Sequence, residues 1–152
     1  MKKIIPTFLL FFATALYAQK NTENDTVLIK NLIIESFNQL WSNMDEKLID
    51  KFYTKDFILL ENGEIWNNDS ISINFKKAKL REKIIPIRTN KIDFIDIKIG
   101  NGMAWVAYHN RGSWTHEKKV LGNAHWLESA IAIWTDNRWK VQMLHSTIIK
   151  EE

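Results

Sequence analysis

The second half of this chain is almost continuously strand-forming. Ile87 to Ile99, Met103 to Thr115, Lys119 to Thr135 and Arg138 to Ile149 are long runs rich in Ile, Val, Trp and Tyr, and β-branched and aromatic side chains suit a pleated, half-buried surface. Only Gly100-Asn101-Gly102, His116-Glu117 and Asp136-Asn137 separate the runs. Connections this short predict an antiparallel meander, because parallel neighbours need a long crossover.

The first half has a different period. Leu28, Leu32, Ile33, Ser36, Phe37, Leu40 and Trp41 recur at spacings of three and four, which predicts an amphipathic helix from Thr26 with Asp25 or Thr26 as its cap. Ser42-Asn43 interrupts it, and Asp45 precedes a second, short helix carrying Leu48, Ile49, Phe52 and Tyr53. Asp56 to Leu60 is a strand candidate; Glu61-Asn62-Gly63-Glu64 is a hairpin turn, with Ile65 and Trp66 starting the return. Asn67 to Ser70 caps a third helix bearing Ile71, Phe75, Ala78 and Leu80. Three helices followed by long antiparallel strands define an α+β domain, in which the helices pack on one face of a strongly curved antiparallel sheet. No repeat or linker divides it, so residues 26–150 are expected to form one domain.

Met1-Lys2-Lys3 and the apolar stretch Ile4 to Ala18 read as a secretory signal peptide, with cleavage after Ala18. The stretch is shorter than the roughly 20 residues that span a bilayer, so no stable membrane anchor is expected after cleavage. Residues 19–25 are polar and read as a flexible N-terminus. The expected location is therefore exported, periplasmic or secreted. With no Cys in the chain, packing rather than disulfides must hold the domain. Removing Lys2 and Lys3 brings the formal charge of +3 close to neutrality, and the basic run Lys76, Lys77, Lys79, Arg81 and Lys83 lacks interleaved aromatics and reads as a solvated helix face. No nucleic-acid partner is expected.

Glycine-rich phosphate loops, zinc-helix motifs, nucleophile elbows and catalytic thiols are all absent, which leaves acid–base chemistry or binding, with no cofactor and no metal. Alternation puts Trp105, His109 and Arg111 on one face of their strand, and Trp139, Met143 and His145 on one face of the last. If the sheet curves round a cavity, His145 and His109 could act as bases with Glu128 orienting them or serving as acid. Trp105, Trp139, Met143 and Tyr53 would then line a ligand site and Arg111 would hold an anionic group. Alternation alone leaves the side taken by Glu128 open. A zinc site from His109, His125 and His145 is disfavoured because nothing in their spacing makes them converge.

The same residues carry a resemblance. Phe37 and Trp41 in the opening helix, Asp45, Tyr53-Thr54-Lys55-Asp56-Phe57 leading to Asn62-Gly63, Met103-Ala104-Trp105-Val106, and the closing stretch from Trp134 through Trp139 to His145-Ser146 resemble the SnoaL-like and DUF4440 branch of the nuclear-transport-factor-2-like superfamily. The resemblance covers Val27 to Ile149 and implies a cone-shaped fold, a cavity suited to a small partly hydrophobic molecule, and a homodimer. Members of that superfamily include isomerases, dehydratases, hydrolases and cyclases as well as noncatalytic association domains. Three functions follow as expectations: small-molecule binding, cofactor-free lyase, isomerase or hydrolase chemistry, and a dimeric interaction module.

Overall fold

A computed structural model describes residues 23–81 and 84–149. The expected signal peptide, the first residues of the polar segment after it, and Lys83 of the basic run lie outside the described residues. Helix α1 occupies residues 23–43, with a π-helical stretch at Ser36–Trp41. It starts before the predicted Thr26, and Ser42-Asn43 continues it; the chain leaves the helix at Met44, whose φ is 49°. Helix α2 is a 3-10 turn, Glu46–Leu48, running into Ile49–Phe52, and Asp45 caps it by accepting from the Lys47 amide at 3.1 Å. Helix α3 is Asn68–Arg81, preceded by Asn67, whose side chain accepts from the Ser70 amide at 2.9 Å.

The strands are β1 (Tyr53–Glu61), β2 (Glu64–Trp66), β3 (Ile87–Gly100), β4 (Met103–His116), β5 (Lys119–Thr135) and β6 (Arg138–Ile148). They form one curved, open sheet in the order β2-β1-β6-β5-β4-β3. All neighbours are antiparallel except β1 and β6, which pair in parallel because α3 and the β3–β5 meander intervene between them. The four hairpins close on Asn62-Gly63, Asn101-Gly102, Glu117-Lys118 and Asp136-Asn137, and both residues of each pair have positive φ. That geometry matches the right-handed twist of the strands. The third turn sits one residue later than His116-Glu117, so β4 keeps His116.

Helices cover the concave face. Ile29, Ile33, Phe37 and Leu40 of α1 join Val106, Ala130, Ala132, Val141 and Leu144 of the sheet in one buried cluster. The small side chains of Ala104, Ala130 and Ala132 allow the helix to approach, and each large aliphatic or aromatic side chain buried there contributes about 1.5–3 kcal/mol.

Two bulges decide which residues face this core. In β3 the pairing passes from Phe94–Tyr108 to Asp96–Ala107, leaving Ile95 over. In β6 it passes from Ala132–Val141 to Ile131–Met143, leaving Gln142 over. Each extra residue reverses the alternation beyond it. Trp139 and Val141 point inward, and so do Leu144 and Ser146, while Met143 and His145 turn out.

Candidate functional site

One row of residues crosses five strands on the concave face. Glu61 of β1 pairs with Ser146 of β6, Ser146 with Glu128 of β5, Glu128 with Tyr108 of β4, and Tyr108 with Phe94 of β3. Directly opposite residues share a face, so these side chains meet. The next row toward the open end contains Trp126, Asn110 and Ile92, followed by Gly112 and Asn90, then Trp114 and Arg88. Helix α1 closes the space from above with Phe37 and Trp41, both in its π-helical stretch.

Glu128 is the centre of this row and is 5 % exposed. Its Oε1 accepts from Ser146 Oγ at 3.0 Å and its Oε2 from Asn110 Nδ2 at 3.3 Å. Burial disfavours the charged form and pushes the carboxyl up to about 7, a rise that the Ser146 and Asn110 hydrogen bonds and the Arg88 charge only partly oppose. Tyr108 acts on that ionisation from beside the carboxyl, yet among the described residues the approach of its buried hydroxyl falls short of hydrogen-bond geometry, and Asn110 Oδ1 has no partner. Buried polar atoms normally find partners, so two orphans beside one carboxyl are an unusual concentration.

Arg88 stands above them. Its guanidinium lies 5.2 Å from the Trp114 ring, 5.4 Å from Trp126 and 5.9 Å from Phe37, within cation–π range of all three. Nε donates to Asn90 Oδ1 at 3.0 Å, and Asn90 in turn donates to Ser42 Oγ at 2.9 Å. Arg88 and Trp41 border two spaces. The inner one, about 40 Å3, lies against Glu128, Ser146 and Trp126; the outer one, about 170 Å3, opens between Trp114, Phe75, Met44 and Pro86. The close approach of Trp126 to β4 requires Gly112, where an added Cβ would lie 2.9 Å from the ring.

Of the residues singled out from the sequence, the concave site contains Glu128, with Tyr53 at its edge. Tyr53 is buried, stacked on Phe57 at 3.9 Å, and its hydroxyl accepts from Trp41 Nε1 at 2.6 Å. Its burial pushes the phenol well up, so it is neutral. Trp139 is also inward but lies at the other end of the core, where its Nε1 donates to Asp25 at 3.1 Å and its ring packs edge-on against Trp134.

The expected convergence of His109, His145 and Arg111 with Trp105 and Met143 around the cavity does not occur there. His109, Arg111 and Trp105 occupy the outer phase of β4, and the β6 bulge puts Met143 and His145 on the outer face too. On that face His109 Nδ1 faces His125 Nε2 at 3.0 Å, Arg111 pairs with Asp93, and His145 is exposed between Leu60 and Ser129. A polar groove of about 570 Å3 runs there past Lys91, Arg111 and His125. It is the larger depression, but Arg111 is already neutralised by its carboxylate, so the groove presents less unmet chemistry than the concave row. Among the described residues no group of three metal-binding side chains converges.

Asn110, Ser146 and Arg88 are not among the site residues that the sequence singles out. One signal was available for two of the polar residues: Glu128 shares its phase with Ala130 and Ala132, and Asn110 shares its phase with Ala104 and Val106. Polar residues in a phase of small apolar ones mark a buried polar site. Ser146 was hidden by the bulge.

A curved open sheet wrapped about a long helix, with polar groups set into its concave face, is a nuclear-transport-factor-2-like fold. The chain has that fold, as many distant solved structures agree. It superposes on an NTF2-like protein with a cystatin-like fold from Novosphingobium aromaticivorans with a TM-score of 0.73, at 12 % identity over 91 % of each chain. A conserved protein from Planctomyces limnophilus matches with a TM-score of 0.66 and 14 % identity, over 84 % of this chain and 99 % of its own. A ketosteroid isomerase-like protein from Erwinia carotovora matches at 0.61 and 14 %, over 82 % and 96 %. No protein-family profile matches the chain, and no curated protein does. At these identities the likeness is one of fold.

Proposed function

We propose that the cone holds a small, partly hydrophobic molecule between its mouth and Glu128. The observation that carries this reading is the pair of orphaned buried atoms, Tyr108 Oη and Asn110 Oδ1, flanking a buried carboxyl. Leaving such groups unpaired costs about 1–3 kcal/mol each. A ligand offering one donor and one acceptor, or water in its absence, recovers that energy. The aromatic rings of Trp41, Trp114 and Trp126 supply the apolar wall.

A second reading is favoured by the acidity of Glu128. A carboxyl that ionises at about 7 exists in both forms near neutrality and is suited to cofactor-free proton transfer in a lyase, isomerase or hydrolase step. The acid–base role first sought in the outer histidines then passes to Glu128. Titration of the 15N-labelled protein with small cyclic ketones tests both readings. Binding in the cone shifts the indole signals of Trp41 and Trp126, and exchange of the ketone's α-protons with solvent that stops in Glu128→Gln marks turnover. Shifts confined to Trp105 on the outer face would sink the cone as the site.

Three further assignments belong to the same proposal. The closing stretch from Trp134 to Ser146 supports the SnoaL-like and DUF4440 branch. The basic and apolar start of the chain supports export, periplasmic or secreted. The outer row Ile58, Met143, Ile131 and Trp105, aligned across four strands with Trp105 41 % exposed, supports a homodimer formed through that face.

A further inference from the structure

We infer that the molecule bound in the cone is a small monoanionic carboxylic acid, with Arg88 as the anchor of its carboxylate and the outer chamber as the seat of its apolar body. This rests on the proposed binding in the cone and names the class of ligand.

Arg88 has more donors than partners. Among the described residues its single hydrogen bond runs from Nε to Asn90, and it takes part in no ion pair. Its terminal nitrogens therefore carry donors without acceptors, although the side chain is half-buried against three aromatic rings. A guanidinium holds its charge under any ordinary burial, and its planar fork fits a carboxylate through two parallel hydrogen bonds. Anchoring of Nε through Asn90 to Ser42 removes much of the freedom that binding would otherwise have to remove.

The surroundings select the rest of the ligand. Trp41, Trp114, Phe75 and Met44 border the outer chamber, whose floor is Arg88, and they favour a flat apolar body. Glu61 and Glu128 face the same guanidinium from the other side across the small inner space. Negative charge on those carboxyls opposes added negative charge, so the site favours a single carboxylate over a dianion such as a phosphate ester. The inner space has room for a polar atom or a water linking the head group to Glu128 and Ser146, which line it.

The test compares benzoate with benzamide, its neutral counterpart of nearly the same shape, by following the indole signals of Trp114 and Trp126. The inference expects benzoate to bind at least about tenfold more tightly, as a desolvated bidentate ion pair provides. Arg88→Met is expected to abolish that preference, so that benzoate binds no more tightly than benzamide. If this variant fails to fold, Arg88→Lys carries the test, because it keeps the charge and loses the fork; a reduced preference is expected. Equal binding of the two probes, or a preference undiminished in the variants, overturns the carboxylate assignment and leaves the cone as a binding site. If neither probe moves the indoles, the cone-binding reading falls and this inference with it.

Discussion

Glu128 is where the interior of the protein meets pH. It is buried against Ser146 and Asn110, and the other ionisable groups acting on it are Arg88, Tyr108 and Tyr53, the last two kept neutral by burial. Its pKa is raised, from 4.5 to about 7. Below the lower value both folded and unfolded chains carry the proton. Between the two values the unfolded chain releases it first, so stability falls as pH rises, and above the upper value the loss is complete, on the order of 3 kcal/mol. Glu61, also raised by burial, adds a smaller change of the same sign. Glu128→Gln isolates the larger effect, since Asn110 can turn its amide and present an oxygen to the new donor. Urea unfolding is expected to show the variant more stable than the parent by about 3 kcal/mol near pH 8, with that advantage gone below about pH 4.5. An advantage independent of pH would show that the carboxyl does not titrate in this range.

At the scale of elements, the bulge at Gln142 sets the site. Its extra residue lets Trp139 and Val141 at one end of β6, and Leu144 and Ser146 at the other, all point toward α1. Gln142 is held from the neighbouring strand, where its Nε2 donates to Asp56 Oδ2 at 2.9 Å. Deleting Gln142 turns β6 into simple alternation and keeps Trp139, Val141, Leu144 and Ser146 on the inner face, in the pairing already made with β5. Calorimetry is therefore expected to find a cooperative transition in the deletion variant, and Gln142→Ala, which keeps the bulge and removes one exposed hydrogen bond, is expected to change stability by less than about 1 kcal/mol. A deletion variant without a cooperative transition would show that the bulge itself is needed to seat β6.

At the scale of the whole molecule, the sheet has two faces of different character. The concave one is covered by helices, and the convex one carries Trp105, Met103, Leu127 and Ile58, each more than a third exposed. Light scattering of the purified mature protein is expected to give twice the chain mass, and Trp105→Glu to give the single-chain mass with the melting behaviour of a folded domain. A parent protein that is a monomer at tens of micromolar would remove the proposed pairing. The same sample tests export, because mass spectrometry of protein recovered from outside the cytoplasm should find Gln19 at its N-terminus; an intact Met1 there would contradict cleavage after Ala18.

Much of the architecture was legible from local pattern. The helical spacing from Leu28 to Trp41, the strand composition after Ile87 and the short polar connections depend on neighbours in the chain, and they lead to the α+β class with helices on one face of a curved sheet. Glu128 was also picked out, as a carboxylate inside an apolar strand. Which face of each strand became the interior was a different matter. Alternation divides residues into two sets without saying which set meets the helices, so His109 and Arg111 were grouped correctly on one face but assigned to the cavity side. In β6 even the grouping changed at Gln142, because a bulge is specified by pairing with strands β1 and β5 and leaves little trace in one segment. Arg88, 40 residues from Glu128 in sequence, reaches the site only through the register of β3 on β4 and β4 on β5. Local chemistry thus determined the elements, and long-range packing decided the site, since burial and electrostatic proximity arise only when distant strands are brought together.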